Sequence, residues 1–318
     1  MPKKHLNFIQ EGDLVEIISP ATACHLDEIT QIKKFIKKIN LEPTIFLEEE
    51  TTLENAVNHE FSSFSAHVRS EQFRKAAENP DSKIIWCSRG GYGSAEILPY
   101  LQKLKKPKKQ KLFIGFSDIS SLNNFLTQEW GWNIISAPML TQITSKSVSD
   151  KSIRSIIDFI FGKTPKLEYQ LNALIPAKTS INEEIIGGCI SVLAGQFGTK
   201  NQINWHNKIL FLEDEGEDGE RLDRYFQQIL SIIYDQKTYP KAILLGNFLE
   251  SNPHGTPKEK NITIAIERFS KNLAHQFPEI ALFEENSKSL GHSKNMMPLV
   301  LGNKAIISNN FLVQDFTA

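Results

Sequence analysis

The sequence predicts an α/β protein: a parallel sheet with helices on both faces in the N-terminal half, joined to a second domain of mixed α+β character. Three observations carry this expectation. Short apolar runs alternate with helix-length amphipathic segments over residues 12–126, the rhythm of repeated β-α units. Ile84-Ile85-Trp86-Cys87 and Leu112-Phe113-Ile114 are continuously apolar, as strands covered on both faces are. The rhythm then breaks between about Asp150 and Ile181, where Pro165 and Pro176 fall.

Taken in order, residues 12–20 read as a short buried strand ending in a turn at Ser19-Pro20. A helical pattern follows from Asp27 to Ile39, with Ile29, Ile32, Phe35 and Ile36 on one face. A second helix covers Ser65 to Glu78, and Asn79-Pro80-Asp81 stops it. Glycines follow Cys87, then a helix-like stretch from Ser94 to Leu104. Leu112 to Ile114 feeds a tight Gly115-Phe116-Ser117-Asp118 turn and another helix through Leu126. The domain boundary is expected inside the 150–181 segment, giving domains 1–165 and 166–318. In the second, Ile209 to Leu212 and Ala242 to Leu245 read as strands. Arg221 to Tyr234 and Thr263 to Leu273 read as helices, and Ala305 to Val313 as strand, turn, strand.

Composition narrows the function classes. The 318 residues are 40% hydrophobic and 23% charged, enough apolar material for two cores and enough charge to stay dissolved. A formal net charge of −1 gives no reason to expect nucleic acid or a membrane surface as partner. The one basic run, Lys105 to Lys111, is interrupted by Pro107 and lacks interleaved aromatics, so it reads as a solvated loop. The N-terminal residues lack the apolar run and cleavage site of a signal peptide, and no stretch is long enough to span a bilayer. A cytoplasmic location is therefore expected. Cys24, Cys87 and Cys189 are odd in number and far apart, which favours reduced thiols over a disulfide framework. No histidines fall in a His-Glu-x-x-His or comparable spacing, so neither a metal nor a cofactor is expected.

Gly115-Phe116-Ser117-Asp118 is the sharpest local signal. A serine between a strand and a helix can sit on a strained elbow that exposes its hydroxyl above the sheet edge. The helix behind it offers a positive N-terminal end to a developing oxyanion, with the Asp118 amide as donor. The same residues also suit a plain helix cap at Ser117 or Asp118, and Ile119 stands where the usual elbow has a glycine. Arg89-Gly90-Gly91-Tyr92-Gly93 brings backbone amides toward a negative group. Glu96 replaces the third glycine of a dinucleotide fingerprint, and no Walker Gly-Lys-Ser/Thr is present. Glu213 and Asp214 end an apolar strand, at the lip of a sheet. His292, in Gly291-His292-Ser293, alone among the eight histidines has a glycine before it in a loop-like context.

Read in order, these blocks resemble the LD-carboxypeptidase family, which includes murein tetrapeptide carboxypeptidases and microcin C self-immunity peptidases. The resemblance runs through Gly12-Asp13 to Ser19-Pro20, Arg89 to Gly93, Ile114 to Asp118, Gly187-Gly188 and Gly198-Thr199. It continues through Ile209 to Asp214, Asp223-Arg224, Gly291-His292 and Pro298 to Gly302, nearly from end to end. It implies Ser117 as nucleophile, Glu213 as triad acid, His292 as triad base, and the amides of Gly91 and Asp118 as oxyanion hole. It also implies a flavodoxin-like N-terminal domain, a smaller β-rich C-terminal domain and a homodimer. The implied activity is release of terminal D-alanine from peptidoglycan-derived tetrapeptides, during cell-wall recycling, by a serine peptidase that needs no cofactor. Phe116 departs from the tyrosine common there, and Gly187-Gly188-Cys189-Ile190-Ser191 from a usual Gly-Gly-Asn-Leu-Ser. Glu215 and Glu217 stand close enough to Glu213 to compete for the acid role. Two other functions stay open: cleavage of an acyl-sulfamoyl or aminoacyl-nucleotide toxin by the same triad, and non-catalytic anion binding by the glycine loop.

Overall fold

The computed structural model describes residues 6–46, 61–249 and 259–317. Strand β1 (Leu14–Ile18) leads to helix α1 (Leu26–Lys38), which buries the expected face through Ile29, Ile32 and Ile36. Asp27 and Glu28 stand in its first turn and Lys37 and Lys38 in its last, each charge opposed to the local end of the helix dipole. Then come β2 (Glu42–Ile45), α2 (Ala66–Glu78), β3 (Ser82–Cys87), α3 (Leu98–Leu101), β4 (Leu112–Ile114), α4 (Ser120–Gln128) and β5 (Ile134–Ser136). The strands pair in parallel in the order β5-β4-β3-β1-β2. This is the flavodoxin-like arrangement, whose ligand crevice lies at the carboxyl ends of the strands near the β1/β3 switch point.

Helices α5 (Leu140–Thr144) and α6 (Asp150–Ile160) precede β6 (Lys166–Ile175) and β7 (Ile181–Cys189). After α7 (Ile190–Ala194) come β8 (Ile209–Glu215), α8 (Gly219–Gln236), β9 (Ala242–Leu249), α9 (Glu259–Gln276) and β10 (Ala281–Glu285). The chain then runs through β11 (Leu299–Leu301), β12 (Lys304–Ser308) and β13 (Phe311–Asp315). Seven of these strands close a barrel in the order β10-β6-β13-β12-β7-β8-β9. Helices α8 and α9 pack on one another with the rings of Phe226 and Phe269 stacked 4.3 Å apart. β11 leaves the barrel and pairs antiparallel with β5, adding a sixth strand to the first sheet. Tyr169 of β6 donates its hydroxyl to the Pro298 carbonyl just before it.

Two expectations need correction, and the segment expected to hold the domain boundary proves to be regular structure. The helix over Ser94 to Leu104 is a 3₁₀ turn at Ser94–Ile97 followed by the four-residue α3. The 150–181 segment is not irregular. Ser149 caps α6 by accepting from the Ser152 amide at 3.3 Å, and the helix buries Ile156, Phe159 and Ile160. Pro165 and Pro176 flank β6 at its two ends, positions where a missing ladder donor is tolerated. Finally, Lys111 is not solvated like its basic neighbours. Its ammonium is buried, donating to the Asn79 carbonyl at 2.5 Å and to the Ser82 hydroxyl. Burial lowers its pKa to about 8, against the opposing pull of Glu16 and Asp81.

Candidate active site

The turns after β1, β3 and β4 all lie at the carboxyl end of the parallel sheet, and they carry Thr22, the glycine loop and Ser117. Ser117 has φ +63, a left-handed backbone that a β-substituted residue rarely adopts and that marks strain held by its surroundings. It opens a 3₁₀ turn, Ser117–Ile119, that runs directly into α4. Neither Ser117 nor Asp118 acts as a helix cap. The Asp118 carboxylate turns back instead to the end of the glycine loop and accepts from the Ser94 amide at 2.8 Å. Ser94 Oγ in turn donates to the Asp118 carbonyl. Burial raises the Asp118 pKa, and the amides of Ser94 and Gly93 hold it down in part.

The glycine loop lies against the serine: a Cβ on Gly90 would stand 3.3 Å from Ser117 Oγ. Gly91 has φ +105, and a Cβ there would overlap the Thr22 side chain, 2.1 Å from its hydroxyl oxygen. Close approach and positive φ together require glycine at this position. Thr22 secures the loop by accepting from the Tyr92 amide at 3.1 Å and donating from its own amide to the Gly90 carbonyl at 3.2 Å.

Arg69 of α2 was missed by sequence reasoning. Its side chain is fully buried, donating to the carbonyls of Phe64, Pro20 and Gly93 at 2.8, 2.7 and 2.6 Å and to the Glu96 carboxylate. It thus joins the turn after β1 to the end of the glycine loop. A signal did exist: a lone arginine on the predicted helix face that carries Phe73 and Ala76.

From the barrel side, β8 and the loop before β11 supply the other candidates. His292 Nε2 stands 3.0 Å from Ser117 Oγ, and His292 Nδ1 stands 2.6 Å from Glu213 Oε2. The His292 amide also donates to that oxygen at 2.9 Å. Gly291, with φ +90, allows this double contact, since a Cβ there would fall 2.5 Å from Glu213 Oε2. Asn247 of β9 donates to the His292 carbonyl at 2.6 Å, and the Phe116 ring packs 4.7 Å from the imidazole. The Cys189 amide donates to Ser120 Oγ at 3.0 Å, fastening β7 to the start of α4.

The carboxylates at the end of β8 separate by geometry. Glu213 is buried and meets Nδ1; Glu215 Oε2 is 3.6 Å from Nε2; Glu217 pairs with Arg221 at 3.5 Å. Asp214 accepts from the Ser191 amide at 2.8 Å, and burial pushes its carboxyl up to about 6. Burial alone would lower the His292 pKa, but the charge and hydrogen bond of Glu213, with Glu215 and Asp214 behind, raise it to about 9. The free cysteines are buried, and desolvation raises each thiol pKa, so none is poised as a thiolate.

This arrangement is a hydroxyl, an imidazole and a buried carboxylate in hydrogen-bonded sequence beside a glycine loop, the geometry that suits acyl transfer. No helix among the described residues is long and apolar enough to cross a membrane. Comparison with known proteins matches residues 15–137 to the LD-carboxypeptidase N-terminal domain and residues 183–307 to the LD-carboxypeptidase C-terminal domain. A Rickettsia conorii protein carrying a provisional carboxypeptidase name is 30% identical over 93% of this chain and 89% of its own. The murein tetrapeptide carboxypeptidase of Pseudomonas aeruginosa is 29% identical over 77% of this chain and 78% of its own. The fold is that of an MccF-like protein from Bacillus anthracis, with a TM-score of 0.76 at 21% identity and 98% of each chain covered. With both of its halves matched in order, and a relative at 30% identity along nearly its whole length, this chain belongs to the LD-carboxypeptidase family.

Proposed function

We propose that the protein is a serine carboxypeptidase that releases terminal D-alanine from peptidoglycan-derived tetrapeptides, cutting between the L-centre of a diamino acid and that alanine. The observation that carries the reading is the unbroken path from Ser117 Oγ through His292 to Glu213, at 3.0 and 2.6 Å. The murein tetrapeptide carboxypeptidase name of the Pseudomonas aeruginosa relative supports the substrate.

In this mechanism His292 Nε2 takes the Ser117 proton as Oγ attacks the scissile carbonyl carbon. Glu213 fixes the tautomer and stabilises the imidazolium that forms. The amides of Gly91 and Asp118 receive the oxyanion, where preorganised donors count most. Collapse breaks the C–N bond, and His292 passes its proton to the departing alanine amine. Water then attacks the acyl-enzyme with His292 again as base, and Ser117 recovers its proton. His292 must be neutral for the first step, so the carboxylates that favour its protonated form make deprotonation part of the cycle.

Mass spectrometry of the purified protein with a murein tetrapeptide tests this. Loss of one alanine is the expected result. An intact tetrapeptide, alongside cleavage of an aminoacyl-sulfamoyl nucleoside, would move the activity to the toxin-cleaving reading. A cytoplasmic homodimer belongs to the same proposal, and light scattering on the purified chain checks the dimer.

A further inference from the structure

We propose that Glu215 makes this site respond to a positive charge on the peptide: an ammonium that draws Glu215 away from His292 frees the imidazole to act as base. The inference rests on the serine-peptidase reading above and adds to it the feature of the substrate that the site senses.

Glu213 and Glu215 lie two residues apart on β8 and therefore face the same way. They take the two nitrogens of one ring. Glu213 holds Nδ1 at 2.6 Å, while Glu215 Oε2 stands 3.6 Å from Nε2, the nitrogen that also meets Ser117 Oγ at 3.0 Å. The carboxylates differ in access: the Glu213 side chain is 2% exposed and the Glu215 side chain 54%. A ligand can reach the second and not the first.

Among the described residues, the charges that shift His292 most are of one sign. β8 contributes Glu213, Asp214 and Glu215, whereas β9 contributes the neutral Asn247 and the elbow contributes Ser117 and Phe116. Arg221, in the first turn of α8, is engaged by Glu217 and Asp218. A proton on Nε2 is thus stabilised from both sides, and a protonated Nε2 cannot accept from Ser117. Opposite charge within about 4–6 Å favours the charged form of a titrating group. An ammonium paired with Glu215 offsets that carboxylate and lowers the affinity of Nε2 for its proton. The group of matching chemistry is the free amine of a diamino acid residue beside the scissile bond. Glu215 acts through His292, as a positioning residue.

The test uses the full chain, wild type and Glu215→Gln, with two tetrapeptides that differ only in acetylation of the distal amine of the diamino acid. A half-exposed carboxylate at this distance shifts an imidazole by roughly half a unit to one unit, which is about three- to tenfold in the neutral fraction. At pH 7 the wild type is expected to favour the free-amine peptide by at least that factor in kcat/KM. Glu215→Gln is expected to lose the preference and to turn over the acetylated peptide about three- to tenfold faster than wild type. A preference that survives in Glu215→Gln overturns the proposal. NMR titration of His292 decides the matter even if neither peptide is cleaved, an outcome that would sink the peptidase reading alone. The free-amine peptide should lower the His292 pKa in wild type and not in Glu215→Gln, and the acetylated peptide should move neither. Equal shifts with both peptides, or none in wild type with either, overturn it.

Discussion

His292 touches Glu213 twice, through Nδ1 and through its own backbone amide, and both contacts end on the single oxygen Oε2 at 2.6 and 2.9 Å. The carboxylate therefore fixes the ring and the loop segment that carries it in one geometry. Removing either partner should disturb the site more than loss of one hydrogen bond. Ser117→Ala, His292→Ala and Glu213→Gln are each expected to stay folded by circular dichroism and to lose turnover by roughly three orders of magnitude or more. The Ser117→Ala/His292→Ala double variant should be scarcely worse than either single one, because residues acting as a unit are not additive. Glu217→Gln, at a residue that faces Arg221 and not His292, should be mild. An active His292→Ala, or a Glu217→Gln worse than Glu213→Gln, breaks the assignment.

The pH profile follows from the same carboxylates. Only neutral His292 can take the Ser117 proton, and its pKa is raised from the ordinary 6.5 to about 9. Activity should therefore rise with pH beyond the usual histidine range, with the acid limb of kcat/KM on the alkaline side of 7. The stability sign is opposite. A group whose folded pKa exceeds its unfolded value stabilises fully below the unfolded pKa and loses that contribution as pH rises through the folded one. Stability from the His292–Glu213 pair should thus fall between about pH 6.5 and about pH 9. An acid limb centred at 6 would contradict both statements.

Gly291→Ala tests the approach of the loop to Glu213. Its φ of +90 is costly for alanine, and the new Cβ would fall 2.5 Å from Glu213 Oε2. The expected cost is about 1–3 kcal/mol of stability, with a fall in kcat at least as large as that of Glu213→Gln. Chemical denaturation and steady-state kinetics on the same preparation separate the two effects. Near-normal kcat would mean that the close contact is dispensable.

Arg69→Met removes a buried cation from three carbonyls and one carboxylate while keeping much of its bulk. Leaving those acceptors unpaired should cost roughly 2–4 kcal/mol. Because Gly93 ends the glycine loop and Glu96 follows it, surviving folded protein should also show reduced kcat. A variant with wild-type denaturation midpoint and activity would remove Arg69 from the account.

Strands β1, β3 and β4 and helices α1, α2 and α4 were legible because each was either continuously apolar or amphipathic at helical spacing. Ile84 to Cys87 and the Ile29, Ile32, Ile36 face show both patterns. β5 and β11 escaped because three residues, such as Ile134–Ser136, show no period, whereas the equally short β4 was marked by the turn and helix that follow it. β6 escaped because its flanking prolines look like a linker until the strand between them is seen. Ser117, Glu213 and His292 could be picked out as candidates from the order of motifs, whereas their meeting could not: 175 residues separate Ser117 from His292. Arg69 was signalled only by its place on an apolar helix face and Glu215 only as a rival to Glu213, since the carbonyls that one meets and the ring nitrogen that the other faces depend on packing between distant segments.

The small strand β11 has a mechanical meaning. The chain passes from sheet to barrel between α6 and β6, returns to the sheet for Leu299–Leu301, and leaves again for β12. Three covalent crossings therefore tie the two bodies that face each other across Ser117 and His292. A pair joined once can swing like a clamshell; a pair laced three times holds its jaws at a set gap. Such lacing sets the two bodies in one relative placement, the one in which hydroxyl and imidazole stand 3.0 Å apart.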